Sequence, residues 1–491
     1  MNSQTPSLKL PRIATGIERL DAIFDGGFPA QSVNVIAGEP GAGKTVLILQ
    51  TVFEAARQGK KCIYFTTLSE PAVKLIRFMQ LFEFFDAALL QEHIVLADLG
   101  SVLRTQGAEA ALAMLTARVE EHDPELVVVD SFKAIQDRVE PERRRTFVYD
   151  LAVTMTSWGA TTLLIGEYTE SEIITLPEFA IADGIVQLRA ARSDLNTIRE
   201  LEVRKLRGSS FVTGTHFFDI VAAGIDFVPR VRAPDLSLSP PSNSNTSTPT
   251  RSSTGTPGLD SILRGGWPAN SATVVVGGTG TGKTILGLKF LVEGARLGQP
   301  GVFLALEEAP DQLRATARGF GWDLEALEKA GLLVIYHIPP IEISTDRFLL
   351  EARAVVEASG ARRVVLDSLT SLALGAISDK RFMELIYALT KHLRRAGVTS
   401  QMNLEVSELL GTGQISGHGL SFAVDNVLYI RYVEARGRLN RAMTVIKARG
   451  IEHATELYEM TITKDGVQIG RALSDLQGVL TGLPSPFKPD Q

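Results

Sequence analysis

An internal repeat of 239 residues governs what this 491-residue chain can fold into. "TGIERLDAIFDGGFP" begins at Thr15 and "TGTPGLDSILRGGWP" at Thr254, and Lys44 and Lys283 of two Gly-rich loops are again 239 positions apart. Asp130 and Asp367, the acids ending two later apolar runs, are 237 apart, and "KLRG" and "KARG", starting at Lys205 and Lys447, are 242 apart. Such small shifts are loop insertions and deletions inside two copies of one unit. A period this long exceeds the roughly 20 to 50 residues of a solenoid repeat, so each copy is a whole domain.

Between the copies lies "PDLSLSPPSNSNTSTPTRSS", too rich in Ser, Pro, Thr and Asn to bury a core, which reads as an extended linker. The expected organisation is a tail (1–14), a first domain (15–233), the linker (234–253), a second domain (254–480) and a short tail (481–491). A composition of 45% hydrophobic and 22% charged residues is that of a soluble globular protein. No run of 18 or more residues is free of polar breaks, so no membrane span is expected. The lone Cys62 cannot pair within the chain and "MNSQTPSLKL" has no signal-peptide apolar core, which points to the cytoplasm. The net charge of −6 argues against nucleic-acid binding over the whole surface.

In each copy apolar runs alternate with helical stretches. "SVNVIAG", "KCIYFTT", "ELVVVDS" and "ATTLLIGEY" match "ATVVVGG", "GVFLAL", "RRVVLDS" and "TSQMNLE". Unbroken β-branched runs predict strands buried on both faces, hence an α/β fold with a mainly parallel sheet flanked by helices. "RELEVRKLRG" and "RAMTVIKARG" read as antiparallel additions at an edge.

The Gly-rich loops carry the chemistry. "GEPGAGKT" (38–45) and "GGTGTGKT" (277–284) both match the eight-residue P-loop and both lie between an apolar strand and a helix. Gly38, Gly41, Gly43 and Gly277, Gly280, Gly282 let backbone N–H groups curl around phosphate oxygens. Lys44 and Lys283 would neutralise the β and γ phosphates of ATP, and Thr45 and Thr284 would offer a hydroxyl to Mg²⁺. Asp130 and Asp367, ending "LVVVD" and "RVVLD", would place a carboxylate beside the same metal.

Two tandem P-loop domains, the "TGxxxLDxxxxGGxP" lead-in, "LEEAP" at 306–310 and the "KxRG" segments together resemble the KaiC family of cyanobacterial clock ATPases and autokinases, over nearly the whole chain. The resemblance implies two RecA-like domains, a double-ringed homohexamer with ATP between subunits, and a KaiB-like or other signalling partner. It also implies that "KxRG" reaches the neighbouring subunit's nucleotide, through Lys205 and Arg207 for one ring and Lys447, Arg449 and His453 for the other. In the first copy Phe211 stands where the family has a histidine.

Hydrolysis or phosphoryl transfer needs a group to orient the nucleophile and take its proton. Glu307 and Glu308 match the family's carboxylate pair, whereas the constant offset sets Leu68 and Ser69 in their places. Glu70 is one step further on. It is either a carboxylate swung toward the γ-phosphate by a bent strand end or a helix N-terminal acid beside Pro71. The first site is therefore expected to bind ATP and turn it over slowly. Of the family's adjacent phosphate acceptors one survives as Ser421, the other position being Phe422; Ser421 is otherwise a plain strand-edge serine. Two other readings stay open. One is a RecA-like DNA-processing ATPase, disfavoured by the acidic charge; the other is a nucleotide-gated signalling scaffold with little turnover.

Overall fold

The computed structural model describes residues 10–68, 72–193, 196–231, 250–339, 344–376, 378–406, 422–435, 437–474, 476–477 and 485–486. The chain divides into two compact units, Met1–Arg230 and Val231–Gln491. The first carries strands β1 (Val33–Gly38), β2 (Cys62–Thr66), β3 (Ile94–Asp98), β4 (Leu126–Asp130), β5 (Thr161–Gly166), β6 (Gly184–Ser193), β7 (Asn196–Leu206), β8 (Thr215–Val221) and β9 (Gly224–Val228). They form one sheet in the order β9-β8-β7-β6-β1-β5-β4-β2-β3. The second unit repeats this with β10 (Ala272–Gly277), β11 (Gly301–Ala305), β12 (Leu333–His337), β13 (Arg363–Asp367), β14 (Thr399–Glu405), β15 (Asn426–Ala435), β16 (Arg438–Ala448), β17 (Tyr458–Thr463) and β18 (Gly466–Ala472). Its order, β18-β17-β16-β15-β10-β14-β13-β11-β12, is the same. Two tandem α/β domains of RecA-like type are thus present.

The continuous apolar runs have their expected physical cause. Every residue of β1 and β10 is buried. Alternate residues of the first sheet feed two separate cores, Ile36, Tyr64 and Val128 on one face and Val35, Ile63 and Val129 on the other. A strand covered on both faces has no use for alternating polar residues. The "RELEVRKLRG" and "RAMTVIKARG" segments lie on β7 and β16, antiparallel to β6 and β15 as expected. The sheets extend further than the sequence expectation, through the parallel edge strands β3 and β12 and the terminal hairpins β8–β9 and β17–β18. Among the described residues no helix is long and apolar enough to cross a membrane.

The lead-in motif turns out to be architectural. Asp21 Oδ1 accepts from the N–H and hydroxyl of Thr15, both at 2.8 Å, and Asp260 Oδ1 accepts from those of Thr254, both at 2.7 Å. The second Gly of each "GG" has a left-handed φ, 118° at Gly27 and 109° at Gly266. A Cβ there would meet the carbonyl oxygen of Ile13 at 2.2 Å or of Ser252 at 2.1 Å. Only glycine lets the two-stranded ribbons Arg12–Ile13/Phe28–Pro29 and Arg251–Ser252/Trp267–Pro268 close. The second ribbon draws Arg251 and Ser252, assigned to the linker by composition, into the folded second unit. Gly27→Ala is expected to cost about 2–3 kcal/mol, lowering the first domain's unfolding temperature by roughly 5–10 °C in a calorimetric scan. An unchanged scan would mean the ribbon is dispensable.

Candidate nucleotide sites

Each P-loop leaves the central strand of its sheet and enters a 14-residue helix, Lys44–Arg57 or Lys283–Arg296. The N-cap glycines Gly43 and Gly282 have φ of 96° and 103°, a left-handed turn that aims successive N–H groups at one point. Lys44 Nζ donates to the carbonyls of Gly38 at 2.9 Å and Glu39 at 2.8 Å; Lys283 Nζ donates to those of Gly277 at 2.8 Å and Gly278 at 2.9 Å. Burial depresses the pKa of both amines, partly offset by carboxylates that include Glu167 and Asp130 in one site and Glu405 and Asp367 in the other. A buried amine hydrogen-bonded to the carbonyls of its own loop is poised to exchange them for phosphate oxygens.

Thr45 Oγ1 donates to Asp130 Oδ2 at 3.3 Å and Thr284 Oγ1 to Asp367 Oδ2 at 2.6 Å. Tyr64 adds a 2.6 Å hydroxyl bond to Asp130, which the sequence pattern did not signal. Burial raises the pKa of Asp367, against the hydrogen bond from Thr284. A hydroxyl and a buried carboxylate beside a phosphate loop form a hard-oxygen donor set that suits Mg²⁺, which needs few protein ligands when substrate phosphates and water complete its shell. Among the described residues no cluster of three or more His, Cys, Asp or Glu side chains fit to hold a metal occurs.

At the first position of the carboxylate pair the strand register matches the constant offset, while Ser69 lies outside the described residues. Thr66 pairs with Asp130 across β2–β4, and Ala305 with Asp367 across β11–β13. The next N–H donates to the aspartate's own carbonyl in both, Thr67 at 2.9 Å and Leu306 at 2.8 Å. Leu68 is therefore the spatial counterpart of Glu307, with no bulge up to that point. Glu307 Oε1 accepts from the hydroxyl of Ser368 and from that of Ser371 at 2.5 Å. Burial, then the charges of Asp367 and Glu307, raise the pKa of Glu308. Leu68 instead lines a cavity of about 750 Å³ together with Lys44, Thr45, Asp130, Lys133 and Glu167, walled by Leu75, Phe78, Met79 and Phe82. Glu70 and Ser421 lie outside the described residues.

The "KxRG" cations lie far from their own P-loops. Lys205 pairs with Ile185, which follows Gly184, the partner of Asn34 near the start of β1, whereas the P-loop leaves β1 at Gly38. Lys447 pairs with Val427, itself level with Val274 in β10. Each is set back from its own loop by three or more strand residues, roughly 10 Å. Their amines turn to local carbonyls instead, Lys205 to Ala180 at 3.2 Å and Lys447 to Val424 at 2.8 Å. Arg207 pairs with Asp183 at 3.3 Å, and the Arg449 N–H donates to the Asp425 carbonyl at 3.2 Å. His453 lines a separate cavity of about 550 Å³ with Arg264, Glu452 and Tyr458. Phe211, at the corresponding place in the first unit, packs against its apolar core.

Three groups near the second P-loop escaped the sequence reading because they come from distant strands. Tyr432 Oη donates to the Gly280 carbonyl at 2.7 Å, Arg441 donates to the same oxygen at 3.1 Å, and Glu405 stands 3.9 Å from Lys283 Nζ.

Paired P-loops, acids on neighbouring strand ends and an α/β sheet define a tandem P-loop nucleotide-binding protein. Comparison with known families matches residues 13–232 and 252–474 to the family described as "ATPase: KaiC", and the chain belongs to it. It is 28% identical to the "Circadian clock oscillator protein KaiC" of Picosynechococcus sp., with 98% of this chain and 93% of the relative covered. It is equally 28% identical to the "Circadian clock protein KaiC3" of Synechocystis sp., over 97% of this chain and 95% of the relative. The "Circadian clock oscillator protein KaiC" of Thermostichus vulcanus gives 28% identity across 100% of this chain and 95% of its own.

The raised pKa of Asp367 has a measurable consequence. An acid whose folded pKa exceeds its unfolded value destabilises the fold when ionised, so ligand-free stability falls as pH rises from the ordinary aspartate value of 3.8 through the raised one. Asp367→Asn is expected to raise the second domain's ligand-free melting temperature at neutral pH by roughly 2–4 °C, an effect of about 1 kcal/mol. The same variant should lose the stabilisation gained from Mg²⁺ and ATP. Calorimetry with and without both checks the pair of outcomes.

Proposed function

We propose that this chain is an ATPase that assembles as a homohexamer with ATP and Mg²⁺ between subunits, hydrolyses ATP at the second site, and carries phosphate on Ser421. The observation that carries the hydrolytic reading is the carboxylate pair beyond β11. Glu307, fixed by two serine hydroxyls, orients the attacking oxygen; Glu308, whose proton affinity is raised, accepts its proton. Lys283 and the P-loop N–H groups hold the phosphates, with Thr284 and Asp367 as metal ligands. Mg²⁺, when bound, supplies charge neutralisation at the β and γ phosphates.

The first site keeps Lys44, Thr45 and Asp130 but presents Leu68 where the second has Glu307, so it binds ATP and turns it over slowly. Assembly is supported by the position of Lys205, Arg207, Lys447, Arg449 and His453, all remote from their own P-loops and so available only to a neighbour's nucleotide. A signalling or clock-type role with a KaiB-like or other signalling partner follows from the likeness to circadian clock proteins. A cytoplasmic location is part of the same reading; the Cys62 thiol, buried and pushed up to about 12 by that burial, is inert there.

Glu307→Gln/Glu308→Gln is expected to lower ATP hydrolysis and phosphate incorporation at least about 100-fold while ATP binding persists. Ser421→Ala should abolish incorporation alone. Full hydrolysis by the double variant would refute the assignment of the pair. Lys44→Ala is expected to weaken ATP-dependent assembly, read by light scattering, with little change in hydrolysis per assembled subunit.

A further inference from the structure

We propose that Lys133 is a terminal-phosphate ligand of the first nucleotide site, which makes that site select and retain ATP over ADP. The inference deepens the reading of the first cavity as a nucleotide site and rests on it.

Lys133 is three residues beyond Asp130, on the short helix Phe132–Gln136 that begins where β4 ends. This places it in the wall of the cavity that Lys44 and Asp130 also line. The cavity also exposes Asp137 and Glu167 to an incoming polyanion, and a second cation beside them offsets that repulsion. At the corresponding place in the second unit stands Thr370, whose hydroxyl accepts from the Glu405 N–H at 2.9 Å. One site thus has a carboxylate pair and no such lysine. The other has the lysine and, at Leu68, no carboxylate.

The ammonium of Lys133 is now paired with Glu172 and lies 5.1 Å from the centroid of the Tyr168 ring. The side chains of the pair are 20% and 31% exposed, and the bond from Lys133 comes first among the interactions that hold the Glu172 carboxyl down to about 2. Glu172 keeps other partners when the lysine leaves. Its other oxygen accepts from the Thr169 N–H at 2.8 Å and the Thr169 hydroxyl at 2.9 Å, closing the capping box of helix Glu170–Thr175. Lys133 can therefore leave Glu172 for a γ-phosphate without stranding a buried charge, and the phosphate offers more negative charge than one carboxylate. ADP presents no γ-phosphate for this exchange.

The test uses the full-length Lys283→Ala protein, which leaves the first site as the one to be titrated, with ATP and ADP bound separately in a calorimeter. Lys133→Met is expected to weaken ATP by about tenfold or more and ADP by less than about twofold, and Lys133→Arg to keep most of the preference. Glu172→Gln, which frees the amine, should leave ATP affinity unchanged or tighter. Equal loss for both nucleotides, no loss for either, or the same ATP loss in Glu172→Gln as in Lys133→Met would overturn the proposal while leaving the nucleotide site intact. Binding of neither nucleotide by the Lys283→Ala parent would overturn the site assignment, and the proposal with it.

Discussion

The parallel alignment of β1, β5, β4 and β2, and of their counterparts β10, β14, β13 and β11, is the constraint on which both sites depend. Parallel strands end on the same edge of a sheet, so the P-loop, the aspartate that ends β4 or β13 and the residues after β2 or β11 converge although they are up to 92 positions apart in the first unit, from Gly38 to Asp130. The hydrogen bonds of Thr67 and Leu306 to the aspartate carbonyls carry that register one residue past the strands. Without it Leu68 and Glu307 could not be equated, and the contrast between the sites would be a matter of alignment.

Given that frame, the two units divide their chemistry by a few side chains. Phosphate recognition is duplicated nearly atom for atom, since both lysines cap two loop carbonyls and both threonines face an aspartate. Glu167 and Glu405 are counterparts beside the two lysines, and the differences lie at the neighbouring strand ends, where the second unit has Glu307 and Glu308 and the first has Leu68 and Lys133. Acids there favour deprotonation of a nucleophile; a lysine and an apolar residue favour holding the anion and excluding water. A duplicated fold can specialise in this way because the loops and strand ends are not needed for packing, whereas the buried strands are.

Much of this was legible in the sequence. The P-loops, the aspartates, the repeat and the double carboxylate are local patterns, and local patterns survive without knowledge of the fold. The lead-in "TGxxxLDxxxxGGxP" was visible as a signature, but its purpose was not. That purpose lies in hydrogen bonds donated by Thr to Asp and in a glycine pressed against a carbonyl 14 residues earlier. Tyr64, Tyr432, Arg441 and Lys133 carried no signal, because a tyrosine on a strand or a lysine on a short helix is ordinary until a neighbouring strand brings it to the site.

The sequence by itself therefore determined that the chain is two copies of a P-loop domain, that each carries the glycine loop and lysine of a phosphate site, and that only one has the paired acids. Hydrophobic runs, glycine spacing and a constant offset suffice for this, because each is written in consecutive residues. Which groups face the nucleotide from other strands, and which cations are turned away from it, was decided by strand order and register alone. Those depend on long-range pairing between segments that no local pattern connects.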